Sequence, residues 1–314
     1  MRQMDWATSD FDHPRTGLAA HPLLRVWSEY SDLLDADGLA DVAALEGVRA
    51  VAEAADGIAR PAFRAQDAAL LAEGLHYETR IAERDQLATR ERNAHDLFNA
   101  LVWLRHPQLK RALNLRQVAD IARVGAKQRT RGQCALTHFD EAGAIVWLAK
   151  PTLLPMWDAH DWVGLFLNEA TAWGSSIAVS VFGHALIEHV WEGRDLPVAK
   201  ALVVRVAALP MLDSSDGLDR NECSGIRQIQ HDPHSANAGG LIARWPAAEA
   251  CVAAAIAQGQ LLADPQELRP LPLAGIPGWH MSNLQAEFFR EAPCFRPLRS
   301  GRRYPPALHF DSAV

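Results

Sequence analysis

Lysine is almost missing from this chain: Lys110, Lys127, Lys150 and Lys200 are the only lysines among 31 basic residues. With alanine abundant, the bias reads as the codon usage of a GC-rich genome, so arginine richness alone says little about function. Cysteine is also sparse. Cys134, Cys223, Cys251 and Cys294 form no CxxC pair, which excludes a disulfide framework and fits reduced thiols in a cytoplasmic protein. Uninterrupted apolar runs are missing too. No window approaches the roughly 18 residues of a membrane span, since Ser180, His184, Glu188 and His189 break the most apolar stretch, Ile177 to Trp191. The opening MRQMDWATSDFDHPRTG lacks the apolar core of a signal peptide. No GxGxxG fingerprint, Walker loop or RNA-binding aromatic signature occurs, which removes the common nucleotide and nucleic-acid modules. A net charge of −7 argues against nucleic-acid binding by the molecule as a whole, so any anion site must be local.

What the chain does have is enough apolar residue to bury a large core within its 314 residues. Its densest cluster of polar residues in an apolar setting is TRERNAHDLFNALVW, Thr89 to Trp103. Asn93 is an N-cap and Asp96 occupies the capping-box position, so a helix should open here and run to about Arg105. Leu97, Leu101 and Leu104 mark its apolar stripe. His95 and Asn99, at i and i+4, project together from a neighbouring stripe. His184 and Glu188 repeat that spacing in IAVSVFGHALIEHVW, which should start extended and turn helical at Gly183. A glycine there signals a strand-to-helix junction or the close approach of another backbone.

Between these motifs the charges change sign. Glu29 to Asp56 holds eight acids and one base, a solvated helical face by its pattern, whereas Arg105 to Arg131 holds eight bases and one acid. That basic run is a candidate surface for a small anionic ligand, with Arg123, Lys127, Arg129 and Arg131 its densest part. Further helices are predicted at 39–55, 76–84, from Pro107 onward, 157–171, 246–262 and around Phe288–Phe289, and a buried strand at 199–206. Cys134–Asp140 and Ala144–Ala149 flank Glu141-Ala142-Gly143 and predict a β-hairpin, with Gly143 at positive φ and Asp140 opening the turn. LRPLPLAGIPGW predicts an extended proline-rich strap and not a strand. The fold class that follows is α+β, a mainly helical single domain over 1–314 with a small antiparallel β element and a long polar loop at 213–240.

YETRI at 77–81, the 89–103 stretch, THFDEAG at 137–143, FGHALIEH at 182–189, GIPGW at 275–279 and FRP at 295–297 together resemble the bacterial family called domain of unknown function 3025, over about Tyr77 to Pro297. The resemblance implies a bacterial globular protein and brings no activity or cofactor with it.

Three chemistries can be assembled from these residues. A metal centre would take His95, His184 and Glu188, with Asp96 or Asp140 completing it, a set that suits zinc, iron or manganese and metal-assisted hydrolysis or oxygen chemistry. A metal-free acid/base pair would use Glu188 and one histidine, with Arg90 or Arg92 holding an anionic substrate. A nucleophilic site would pair Cys134 with His138 or His184. Asn99, Arg129 and Arg131 join Arg90 and Arg92 as candidate substrate contacts. Against all three stands a structural reading, in which His95, Asn99, His184 and Glu188 are buried groups satisfying one another. In the polar loop, Cys223, His231 and His234 give C-x7-H-x2-H, a zinc pattern without a fourth ligand. The leading expectation is a metal-assisted hydrolase of a small anionic substrate; the rival is a non-catalytic binding protein using the basic run. The convergence of the two histidine helices on one cavity is the expectation that coordinates test most directly.

Overall fold

The structure, a computed structural model, describes residues 21–35, 38–194, 196–209 and 245–310. The polar loop with Cys223, His231 and His234 lies outside the described residues. Helix α1 (Val42–Asp56) opens on Asp41, whose side chain accepts the Ala44 N–H, and closes at Gly57 in the left-handed region. Strands β1 (Ala62–Ala65) and β2 (Gln86–Thr89) pair in parallel, with α2 (Tyr77–Arg84) on the connection between them. Helix α3 (Ala94–Arg105) starts as its sequence predicts, the Asn93 side chain accepting the Asp96 N–H at 3.1 Å. Asp96 does not close a capping box; it turns back to the Arg90 N–H and guanidinium. Every residue of α3 from Leu97 to Leu104 is buried, so the helix is enclosed by neighbours and does not present one apolar stripe. Pro107 then opens α4 (Pro107–Val124), where its missing N–H costs nothing.

The expected hairpin is not formed. Arg131–Ala142 is a helix, α5, capped by a reciprocal box in which Thr130 Oγ1 accepts the Gln133 N–H and Gln133 Oε1 accepts the Thr130 N–H. Its buried residues Ala135, Leu136 and Phe139 follow helical spacing. Asp140 and Glu141 therefore project from a last helical turn. Gly143 begins strand β3 (Gly143–Leu148) in ordinary extended geometry, φ −73° and ψ 148°. It must be glycine for another reason: a Cβ here would lie 2.1 Å from the Phe139 carbonyl oxygen.

After β3, the helix expected over 157–171 is three short pieces: α6 (Leu154–Ala159), a π-helical turn at Val163–Asn168, and a 3-10 turn at Ala170–Ala172. His160 at φ +56° interrupts the first. Strand β4 (Ile177–Val181) runs into α7 (His184–Trp191) through Gly183, and β5 (Val198–Arg205) follows. Helix α8 (Pro246–Ala257) packs on α4. Arg269–Pro272 is a strand, β6, and not a free strap: it pairs antiparallel with β5, where an edge position tolerates Pro270 and Pro272. Helix α9 (Ala286–Glu291) and β7 (Leu308–His309) complete the described chain.

The main sheet is larger than a hairpin and of mixed direction, in the order β4, β3, β5, β6, with β7 also on β5. β3 is antiparallel to β4 and parallel to β5. Every residue of β3 and β4 is buried, which is why both read as near-continuous apolar runs. The α+β class and the dominance of helix stand. Gly183 is both a strand-to-helix junction and a close approach, since its Cβ would sit 2.4 Å from the Ala142 Cα and the Gly143 nitrogen. The Phe182 and Gly183 N–H groups donate to the Gly143 carbonyl at 2.9 and 2.8 Å. This glycine-to-glycine contact seats the end of α5 on the start of α7.

Candidate functional site

That seating brings Asp140 and Glu141 to His184, while α3 packs along α7 and brings His95. His184 Nδ1 donates to the Asp140 carbonyl at 2.9 Å, and His95 Nδ1 donates to Glu188 Oε2 at 2.8 Å. A carbonyl and a carboxylate can only accept, so each Nδ1 carries a proton, and in a neutral ring the lone pair is then on Nε2. These Nε2 atoms face each other at 3.2 Å. Two lone pairs at that distance repel unless a proton or a cation lies between them. Two imidazoles on one tetrahedral zinc, at about 2.0–2.1 Å each, place their nitrogens about 3.3 Å apart.

The expected convergence of His95, Asn99, His184 and Glu188 is therefore present, and a further carboxylate, Glu141, joins it. Glu188 stands behind His95, on Nδ1, where a carboxylate orients an imidazole and raises its basicity. The carboxylate on the Nε2 side is Glu141, 3.6 Å from His184 Nε2. One donor atom each from His95, Glu141 and His184 lie within 4.8 Å of one another. Glu141 is 43% exposed and can swing inward, whereas His184 is 4% exposed and held. Asn99 lines the same cavity, but both ends of its amide are used, Oδ1 accepting from Lys110 Nζ and Nδ2 donating to the Tyr77 hydroxyl, each at 2.8 Å.

Lys110 also donates to Asp140 Oδ1 at 2.5 Å from a side chain 5% exposed. Burial opposes ionisation of Asp140, yet the charge and hydrogen bond of Lys110 outweigh it and hold the carboxyl below its usual range. Burial, followed by the charge of Asp140, raises Glu141. His184 is pushed down to about 4, first by burial and then by Lys110 and His95 against the pull of Asp140. It is a neutral imidazole at physiological pH, the form that ligates.

These groups line an open cavity of about 320 Å³. Its wall includes Arg129 but not Arg90, Arg92 or Arg131. Arg90 is bidentate to Asp96, Arg92 lies exposed with φ +50°, and Arg131 pairs with Asp264. Of the eight bases between Arg105 and Arg131, five are in ion pairs: Arg105 with Glu29, Lys110 with Asp140, Arg111 with Asp85, Arg123 with Asp120 and Arg131 with Asp264. Arg116 donates to the Ile256 carbonyl. Among the described residues Lys127 and Arg129 have no carboxylate within ion-pair distance. Cys134 is half-buried and His138 exposed on α5, and neither lines the cavity.

Sequence reasoning missed Tyr77, Lys110, Asn114 and Gln117, and put Glu141 in a turn. The signals were there: Lys110, Asn114, Gln117 and Ile121 follow one helical face at i, i+4, i+7 and i+11, and Thr130 with Gln133 spells a capping box. The fold and site together define an α+β protein with paired imidazoles and a carboxylate on the wall of an open pocket. The chain belongs to the family described as Protein of unknown function (DUF3025), whose model matches residues 62–299. Neither the curated proteins nor the solved structures return a match. Among the described residues no helix is long and apolar enough to cross a membrane.

Proposed function

We propose that this protein is a metal-dependent hydrolase of a small anionic substrate, with a divalent cation held by His95 Nε2, His184 Nε2 and a Glu141 carboxylate oxygen. One observation carries the reading: two Nε2 atoms meet at 3.2 Å while both Nδ1 atoms are engaged by acceptors. A shared proton would also satisfy the two Nε2 atoms; the Glu141 carboxylate on the same side and the open cavity beside them favour a cation. Three protein ligands and an open side toward the cavity are the arrangement of catalytic, as opposed to structural, zinc sites. A cation so held supplies a bound water whose pKa falls to about 7. Glu188 and the Asp140 carbonyl keep the imidazoles in the ligating tautomer, Lys110 holds Asp140 in place, and Arg129 at the rim receives the anionic group. The non-catalytic alternative that uses the basic run draws little support, because five of its eight charges are spent within the fold. A cytoplasmic setting accords with Cys134, Cys251 and Cys294, all free thiols.

Protein purified without chelator should carry close to one equivalent of zinc, iron or manganese by elemental analysis. His184→Ala should lose it while keeping its circular dichroism spectrum. Wild-type protein that remains metal-free after incubation with all three cations overturns the proposal and leaves a ligand-binding role.

A further inference from the structure

The cavity wall carries a chain of hydrogen bonds whose direction is set by its lysine. Lys110 Nζ has only protons to offer, and it gives them to Asn99 Oδ1 at 2.8 Å and to Asp140 Oδ1 at 2.5 Å. The Asn99 amide is thereby oriented, because the reverse would turn its NH2 group toward the ammonium. Its Nδ2 then donates to the Tyr77 hydroxyl oxygen at 2.8 Å. A phenol whose oxygen accepts still has its own proton to place, and among the described residues the Tyr77 O–H meets no acceptor. Lys110 and Asn99 are buried, whereas Tyr77 is 38% exposed where it borders the open cavity. Desolvation within the recess, followed by the charges of Glu78 and Asp140, raises the pKa of Tyr77 well above its ordinary value, so the hydroxyl keeps its proton and acts as a donor.

We propose that Tyr77 is a ligand-binding residue, its hydroxyl proton donated to one oxygen of a tetrahedral, phosphate-like oxyanion whose other oxygen meets the cation held by His95, Glu141 and His184. Asn99 follows His95 by one turn of α3, a rise of about 6 Å, and both line the cavity with Tyr77. A tetrahedral oxyanion suits a separation of that order, with a metal–oxygen bond of about 2 Å on one side and a hydrogen bond of about 2.7 Å on the other. Lys110 and Asn99 are positioning residues: they commit the phenol oxygen to accepting and leave its proton for the ligand, so the donor is set before the ligand arrives. An anion of a single atom reaches the cation and makes no use of this donor. The proposal rests on the metal reading of the same cavity and adds to it the contact that selects an oxyanion.

The test loads the full chain with Co²⁺, whose visible bands report the site, and titrates it with inorganic phosphate and with fluoride. Tyr77→Phe keeps the ring and removes only the hydroxyl. It should take up Co²⁺ like the wild type and bind phosphate about 10–100-fold more weakly, the range for a hydrogen bond to a charged group. Fluoride should bind both proteins alike, an outcome that a general disturbance of the site would not give. Equal phosphate affinity in the two proteins, a parallel loss of phosphate and fluoride, or no phosphate binding to the Co²⁺ protein overturns the role of Tyr77 and leaves the metal reading standing. Loss of Co²⁺ uptake in Tyr77→Phe alone overturns it as well, because the residue would then support the cation site and not the ligand. Wild-type protein without Co²⁺ bands overturns the metal reading and this proposal with it.

Discussion

Glu188→Gln compared with Glu141→Gln separates an orienting carboxylate from a ligating one. In the wild type, Glu188 Oε2 accepts the His95 Nδ1–H at 2.8 Å from a side chain 14% exposed, so it fixes the tautomer and adds electron density to Nε2. Glutamine keeps the volume and can still accept that proton, but removes the charge. Loss of such an outer partner costs about 10–100-fold in metal affinity, or about 1.4–2.7 kcal/mol. Glu141→Gln removes one of three donors and leaves two imidazoles, so its loss should exceed about 100-fold, beyond the range of an outer partner. Both can be read by competition for Zn²⁺ against a chromophoric chelator, with thermal melts confirming that each variant is folded. A greater loss in Glu188→Gln than in Glu141→Gln would refute the reasoning, because Glu188 would then be the ligand. An unchanged Glu188→Gln affinity would refute it as well, because the His95 tautomer would not need its carboxylate.

Two further outcomes follow from the packing and the charges. Gly183→Ala should destabilise the protein by about 1–3 kcal/mol, since its Cβ would meet backbone atoms of Ala142 and Gly143 at 2.4 Å and no side chain can rotate away; chemical denaturation measures this, and a neutral effect would show that the α5 to α7 contact is loose. His21, whose Nδ1 accepts the Leu23 N–H and whose ring sits edge-on to Trp279, is held down to about 4 by burial, then by Arg25 and His280. The unfolded chain protonates this residue near 6.5 and the folded one near 4, so the contribution is complete above about pH 6.5 and is lost as pH falls toward 4, up to about 3 kcal/mol in all. His21→Asn, which can still cap, should flatten that part of the acid limb of stability against pH; an unaltered limb would assign the loss to other groups.

Local pattern was enough for much of the site. Helical spacing put His95 with Asn99 and His184 with Glu188 on shared faces, Asn93 set the start of α3, and an unpartnered polar group in an apolar helix needs company, which is why the two helices meet. These are statements about one element at a time, where period and capping chemistry act over a few residues. The class, α+β with helix dominant, was legible for the same reason.

Which atom faces which was decided only by tertiary packing. Glu188 and Glu141 are both carboxylates near a histidine, and nothing in their spacing distinguishes the one behind His95 Nδ1 from the one before His184 Nε2. Gly143 shows the cause most plainly. A glycine is required either where φ is positive or where another group comes too close for a Cβ, and a sequence does not say which. Reading the first made 134–149 a hairpin and Asp140 a turn residue. The second is true: Gly143 clears the Phe139 carbonyl and Gly183 clears Ala142 and Gly143. That contact between residues 40 apart in the chain aims the Asp140 carbonyl and the Glu141 carboxylate at His184. The sheet extended beyond expectation on the same ground, because strand pairing such as that of Arg269–Pro272 with β5 is a long-range hydrogen-bonded match that a proline-rich segment does not advertise.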